Sequence, residues 1–356
     1  MISTSTELLR DALSRARLIA STRTAVMPIY ANVMLKARPE NAWLTITASS
    51  PEAQIALDVD SEIDGVLELC VDAERLALAL NVPGEKTKLS LDGERLKIAT
   101  GKSVFRLPHI QAENFPILLS QGENIASFGC EWLAAALRRV LPFTGSSDHA
   151  RLDSRGVSLK GRDGKVKIEG TTHATCAQLV HDVKDAGEFT VMLPTRVCEV
   201  LCEVEPTRAI FKQGTAVFLG ENMQLVTVYL QAQLADTDRV FPAEGCDKIT
   251  VARKELVDAV KSVSAISDVM MKRVRPVKLA MADDALVIEA LGISAEGRAE
   301  VAASGKKWEC AYDAAFVLAL AHTSEDEKIE LLQAAAPDRL AIADGNFRAV
   351  VVGSRA

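Results

Sequence analysis

The feature that most constrains this chain is a threefold internal repeat: one order of elements recurs three times along 356 residues. Such self-similarity fixes a modular architecture before any motif is considered. Each unit is predicted to open with an amphipathic helix. In the first, Leu8, Leu9, Ala12, Leu13, Ala16 and Ile19 recur at helical spacing, while Arg10, Ser14 and Arg17 hold the other face. The second is Trp132 to Val140, with Leu133, Leu137 and Val140 inward and Arg138 and Arg139 outside. The third is Lys254 to Val263, with Leu256, Val260 and Val263 inward and Lys254, Asp258 and Lys261 outward.

Short alternating segments rich in β-branched residues follow each helix, among them Trp43–Thr47, Lys165–Ile168 and Leu286–Ile288, and read as strands. A strand then runs directly into a second helix at Asp72, Pro194 and Asp313, where Asp suits an N-cap and Pro an early helical position. Each unit closes with strands around Asp92-Gly93, Gln213-Gly214 or Asp344-Gly345. Leu8, Leu133 and Leu256 stand 125 and 123 residues apart, and the offsets between the second helices agree. The expected fold is therefore α+β, with three repeated domains over 1–121, 122–245 and 246–356, each with two helices and antiparallel sheets. The intervening Gln121–Asn124 and Pro242–Gly245 are polar and turn-rich, as boundaries require.

Composition narrows the class. With 48% apolar and 25% charged residues the chain has ample material for a core, which excludes intrinsic disorder. No apolar run reaches the roughly 18 residues of a membrane span, and no basic segment leads into an apolar stretch at the N-terminus, so a cytoplasmic protein is expected. Seven scattered cysteines without a C-x-x-C pair read as small buried residues in a reducing compartment; Cys198 and Cys202, four apart on a predicted helix, lack a nearby third metal ligand.

Catalytic spacings are missing: there is no phosphate-binding glycine loop, no H-E-x-x-H and no nucleophile elbow. His173 with Asp153 or Ser154 is the one acid–base set the sequence offers, and a hydrogen-bonded structural histidine is the simpler reading. No enzyme, cofactor or metal is expected. The net charge of −7 speaks against a protein coated in nucleic acid, yet binding responds to the local field. The six predicted helices (6–20, 73–82, 132–142, 194–204, 253–264, 313–322) together carry +2 against −9 for everything else.

Several stretches resemble the bacterial DNA polymerase III β subunit, the sliding clamp family. They are Leu91–Ile98, Gly101-Lys102-Ser103, Phe105-Arg106-Leu107 and Asn114-Phe115-Pro116 in the first repeat, with Met27-Pro28-Ile29 after Arg23, and Arg239-Val240-Phe241-Pro242 at the end of the second. The resemblance implies half of a ring. Two chains would join head to tail as a homodimer, and helices of six domains would line a channel around double-stranded DNA. Scattered cations that touch phosphates without reading bases fit such a channel.

By position, the resemblance makes Arg23, Arg151 and Arg196 DNA-approaching residues; Arg10, Arg138 and Lys254 are added from the helical faces. It also sets Phe105 and Leu107 of one chain against Ala265 and Ile266 of the other. The implied partners are a DNA polymerase and an ATP-dependent clamp loader, with no membrane. The family's partner cleft maps onto Ser154, Gly170, His173, Thr175, Ala235, Arg239, Val240 and Val352-Gly353-Ser354-Arg355-Ala356.

Here the sequence departs from the family. Its Met-Pro-Met-Arg-Leu end is matched by Val352–Ala356, its Asp-Gly-His-Arg-Leu by Thr171-Thr172-His173-Ala174-Thr175, and its Phe-Pro-Asp-Tyr by Leu234-Ala235-Asp236-Thr237. The expected cleft is shallower and more polar. Either it accepts a different peptide, as a second or mobile-element clamp would, or it recruits little. The alternative function is a clamp-like scaffold that no longer encircles DNA.

Overall fold

The computed structural model describes residues 1–20, 27–172, 174–184, 186–243, 245–267, 274–292, 295–333 and 338–353. The first repeat contains β1 (Ile2–Ser5), α1 (Thr6–Ile19), β2 (Asn32–Ala37), β3 (Trp43–Ser49), β4 (Ala53–Ile63), β5 (Leu67–Asp72), α2 (Ala73–Leu80), β6 (Lys86–Asp92), β7 (Arg95–Thr100) and β8 (Ser103–Gln111). The second has β9 (Asn124–Gly129), α3 (Leu133–Val140), β10 (Gly156–Arg162), β11 (Lys165–Thr171), β12 (Thr175–Asp182), β13 (Phe189–Pro194), α4 (Thr195–Val204), β14 (Arg208–Lys212), β15 (Thr215–Gly220) and β16 (Met223–Val228). The third has β17 (Asp247–Ala252), α5 (Arg253–Ile266), β18 (Pro276–Ala282), β19 (Ala285–Ala290), β20 (Arg298–Ser304), β21 (Trp308–Asp313), α6 (Ala314–His322), β22 (Lys328–Gln333), β23 (Arg339–Asp344) and β24 (Phe347–Val352). Among the described residues each repeat thus has eight strands and two helices in one order.

Each repeat opens on a strand, where the sequence predicted a helix. β1, β9 and β17 are only four to six residues long and leave at most three residues before the helix, too short for their alternation to stand out. The helices otherwise fall close to expectation. In α1, Leu9, Ala12, Leu13, Ala16 and Ile19 are buried, but Leu8 is 49% exposed because it sits on the solvent flank of the stripe. Asp72 caps α2 by accepting from the Arg75 N–H at 2.7 Å, and Asp313 caps α6 through the Ala315 N–H at 3.1 Å. Pro194 is the last residue of β13, one position ahead of the helix it was expected to enter. The hairpin glycines Gly93 and Gly345 adopt φ of 60° and 57°, a left-handed backbone that side chains resist.

By packing, the described chain forms two compact units: Met1–Ala134 with Arg196–Tyr229, and Ala135–Thr195 with Leu230–Ala356. Each is organised by a twelve-stranded sheet whose pairings among the described residues are antiparallel. The first runs β1-β6-β7-β8-β5-β2-β3-β4-β16-β15-β14-β9; the second runs β13-β10-β11-β12-β24-β23-β22-β17-β20-β19-β18-β21. The second repeat therefore divides its strands between the sheets. In the first unit β4 pairs with β16, Leu57 opposite Met223 and Ala53 opposite Thr227. In the second, β12 pairs with β24 in the same relation, Leu179 opposite Phe347 and Thr175 opposite Val351. Leu9, Leu13, Leu35, Leu44, Ile46 and Ile55 lie in the first core, and Phe143, Leu159, Ile168, Leu256, Leu279 and Phe347 in the second.

Candidate functional site

The predicted DNA-facing cations occupy different environments. Arg10, on α1, donates from Nε to the Leu80 carbonyl at 2.7 Å and from Nη2 to the Val82 carbonyl, so it ties down the C-terminal end of α2. Arg196, at the start of α4, donates to the Leu18 carbonyl at 3.2 and 3.1 Å, near the end of α1. Both place positive charge where a helix dipole is negative. Arg151 is paired with Asp153 at 2.5 Å and is 63% exposed. Arg138 and Lys254 are exposed on α3 and α5. Arg139, predicted to face outward beside Arg138, instead lies over the Phe347 ring at 4.3 Å and pairs with Asp344 at 2.7 Å. Arg23 lies outside the described residues.

The predicted partner-cleft residues fall within the second unit, where some are supports and others are surface. Ser154, Gly170 and Thr175 are buried. A Cβ on Gly170 would stand 2.1 Å from Thr144 Oγ1, and the Thr175 hydroxyl donates to the Phe143 carbonyl at 2.8 Å. Both positions are filled by their own neighbours. Ala235 and Arg239 are exposed, and Val240, Val352 and Gly353 are half-buried. Val240 and Phe241 pack on a small apolar floor of Cys176, Ala341 and Val350. The Val352 N–H donates to the Ala174 carbonyl at 2.7 Å, joining the end of β24 to the β11–β12 turn. His173, Ser354, Arg355 and Ala356 lie outside the described residues.

Beside this floor is a polar network that sequence reasoning missed. Glu169 is 1% exposed, and its carboxylate meets Lys160 at 2.8 Å, Lys167 at 2.9 Å, the Thr237 hydroxyl at 2.5 Å and Gln178 Nε2 at 3.0 Å. One oxygen of Asp238, Oδ1, accepts from Lys167 Nζ at 3.0 Å, Gln178 Nε2 at 3.0 Å and Arg348 Nη2 at 2.5 Å. Arg348 also donates to Gln178 Oε1 at 2.7 Å and covers the Phe241 ring at 4.2 Å. Burial alone would raise the Glu169 pKa, but hydrogen bonds from Lys160, Thr237 and Lys167 outweigh it and hold the carboxyl below its ordinary value. Hydrogen bonds from Lys167 and Gln178 hold Asp238 low as well. Lys-x-Glu on one face of β11 was a faint signal, but the partners on β12 and β24 become visible only once strand register is known.

Among the described residues no group of three or more His, Cys, Asp or Glu is placed to hold a metal ion. Burial pushes the thiols of Cys130 and Cys176 up to about 12, and Cys198 and Cys202 are buried too, so these cysteines behave as apolar packing. No helix among the described residues is long and apolar enough to cross a membrane.

Known proteins share this architecture over its full length. The chain superposes on the DNA polymerase III β subunit of Thermotoga maritima with a TM-score of 0.87 at 20% identity, covering 100% of this chain and 99% of that one. The DNA polymerase sliding clamp of Bacillus subtilis gives 0.84 at 15% identity, covering 100% and 99%. The fold is that of the bacterial polymerase clamps. Residues 1–119 match the family described as "DNA polymerase III beta subunit, N-terminal domain". The β sliding clamp of Rickettsia bellii is 22% identical over 325 residues, 86% of this chain and 83% of that protein. That of Chlamydia pneumoniae is 27% identical over 251 residues, 67% of each. The chain is thus similar to bacterial DNA polymerase III β subunits, in its first 119 residues by family pattern, at 22–27% identity to these two relatives, and in fold over its whole length.

Proposed function

We propose that this protein is a DNA sliding clamp, a processivity factor that closes around duplex DNA as a head-to-tail homodimer of three-domain chains (1–121, 122–245, 246–356). The observation that carries this reading is a pair of unmatched strands. β4–β16 joins the fourth strand of the first repeat to the eighth of the second, and β12–β24 joins the fourth of the second to the eighth of the third. Left over are the fourth strand of the third repeat, β20, and the eighth of the first, β8. β8 is paired with β7 over Ser103–Pro108 and with β5 only at 109–111; β20 is paired with β19 and, only at 303–304, with β17. One chain thus presents both halves of a third joint, which a second copy completes.

Transferring the register of the two internal joints sets Phe105 opposite Gly297 and Arg106 opposite Glu296 of the second copy. A Cβ on Gly297 would stand 2.4 Å from Ile266 Cδ1, so Phe105 meets the Ile266 flank. This agrees with the expected pairing of Phe105 and Leu107 with Ala265 and Ile266. Phe105 and Leu107 are half-exposed, and Ala265 and Ile266 are exposed, as an unpaired joint requires.

The helices then offer cations to DNA phosphates. Arg138 and Lys254 are exposed for this, and Arg10, Arg23, Arg151 and Arg196 are further candidates. A closed ring needs only weak, salt-sensitive contacts, because topology prevents escape sideways. The protein acts without catalysis of its own, in the bacterial cytoplasm, with a polymerase held at the Val240–Phe241 cleft and an ATP-dependent loader to open the ring. The more polar cleft favours a changed peptide preference. The test is retention on circular DNA after loading: a clamp stays on the circle and leaves when the DNA is linearised, whereas a scaffold that does not encircle DNA shows no difference.

A further inference from the structure

The charged network lies at one joint and is absent from its counterpart. The register that equates the two joints places Lys167, Glu169, Gln178 and Arg348 at the positions of Thr45, Thr47, Ala56 and Gln224 in the first unit. The turn Asp238–Val240, followed by Phe241-Pro242, corresponds to Ala112–Asn114, followed by Phe115-Pro116. The first joint forms with no charge at any of these five positions, so charge is not a requirement for joining repeats. The corresponding turn of the first repeat lies on β2 and β5 rather than on the joint strands, and it is held by burial: Phe115 is 5% exposed and packs with Met34 and Cys70. At the second joint the turn rests on its apolar floor through Val240 and Phe241 and is held as well by ions, on residues that reach solvent. The Asp238 side chain is 56% exposed, Lys167 26% and Arg348 40%.

Three donors from three strands therefore converge on one oxygen of an exposed carboxylate. They line a groove of about 440 Å³ that also includes Val180, Ala343, Asn346 and Phe347. Arg348 joins this groove to the cleft wall, because its guanidinium covers the Phe241 ring. Buried apolar contacts cannot be exchanged without exposing surface. A solvent-accessible ion pair can trade one carboxylate for another at small cost.

We propose that Lys167, Gln178 and Arg348 form a seat for an acidic side chain of a partner peptide, occupied by the chain's own Asp238 while the cleft is empty. The proposal rests on the cleft reading given above and deepens it: the partner carries an aspartate or glutamate beside the apolar anchor that lies on Val240 and Phe241. Asp238 acts as an internal competitor, so its removal strengthens binding.

The experiment is a titration of the full chain with two synthetic peptides that share a leucine–phenylalanine anchor, one flanked by aspartates and the other by asparagines. The acidic peptide is expected to bind about threefold to tenfold more tightly to the native chain, the range of a charge-assisted hydrogen bond after competition. Asp238→Asn is expected to widen that preference, and the Lys167→Gln, Arg348→Gln double variant to bring the ratio of the two affinities, measured within that variant, close to one. Equal binding of both peptides to the native chain and to Asp238→Asn overturns the seat but leaves the cleft intact. Binding of neither peptide overturns the cleft reading, and the seat with it.

Discussion

Arg10 and Arg196 show how a cationic side chain on a helix serves its own fold first. Each satisfies carbonyls at another helix's C-terminal end, where backbone acceptors lack intrahelical partners. Arg10→Ala is expected to cost about 1 kcal/mol, the net worth of such hydrogen bonds, as a lower denaturation midpoint. Glu169 makes the opposite case, a buried anion surrounded by cations and hydroxyls. Glu169→Gln leaves Lys160 and Lys167 without their deepest counter-charge and is expected to destabilise the protein by about 3 kcal/mol in urea titrations. The pH dependence follows in sign. Glu169 and Asp238 are held below their ordinary values, so the native state binds fewer protons than the unfolded one near those values. Their stabilisation is present above the ordinary carboxylate range and is lost as pH falls through the native values. The native protein's melting temperature should therefore fall more steeply between about pH 5 and about pH 3 than that of the Glu169→Gln, Asp238→Asn double variant.

At the scale of elements, the proposed joint between chains rests on the open edges of β8 and β20. Arg106 and Glu296 face each other across it in the transferred register. Arg106→Glu or Glu296→Arg alone should shift the mass measured by light scattering toward the 38.3 kDa chain, and the two together should restore the dimer. Dimer in both single variants, or monomer in the double, contradicts this register. Much at this scale was legible in the sequence. α1 was readable from Leu9, Leu13 and Ala16, and the second helices from Asp72 and Asp313, because periodicity and caps are local. β1 was not, since Ile2-Ser3-Thr4-Ser5 is short and its pairing with β4 and β6 is set by residues some sixty to ninety positions away. The same limit hid the Glu169 network. Gln178 and Arg348 meet because two strands 170 residues apart pair directly, and single-chain spacing carries no trace of that. The burial of two residues assigned to the cleft was hidden for a related reason. Resemblance located Gly170 and Thr175 in the chain but said nothing of the neighbours that bury them.

For the whole molecule, the proposed function gives the DNA contact to a few exposed cations and leaves the joining to strand pairing. Arg138→Ala with Lys254→Ala should shorten retention on open circular DNA and reduce its salt dependence by about two phosphate contacts per chain, with the oligomeric state unchanged. If retention and salt slope both stay the same, other groups carry the contact. In the proposed ring each chain offers one head and one tail, so a closed pair would contain two identical joints in parallel. A rupture at one leaves the partners linked through the other, and the broken edges meet again as neighbours in one assembly, independent of concentration in solution. In that ring a loader would have only one seam to part, while exchange of subunits between rings would wait for both to be open together. Gate opening and subunit turnover are thereby set on separate clocks by a single kind of interface.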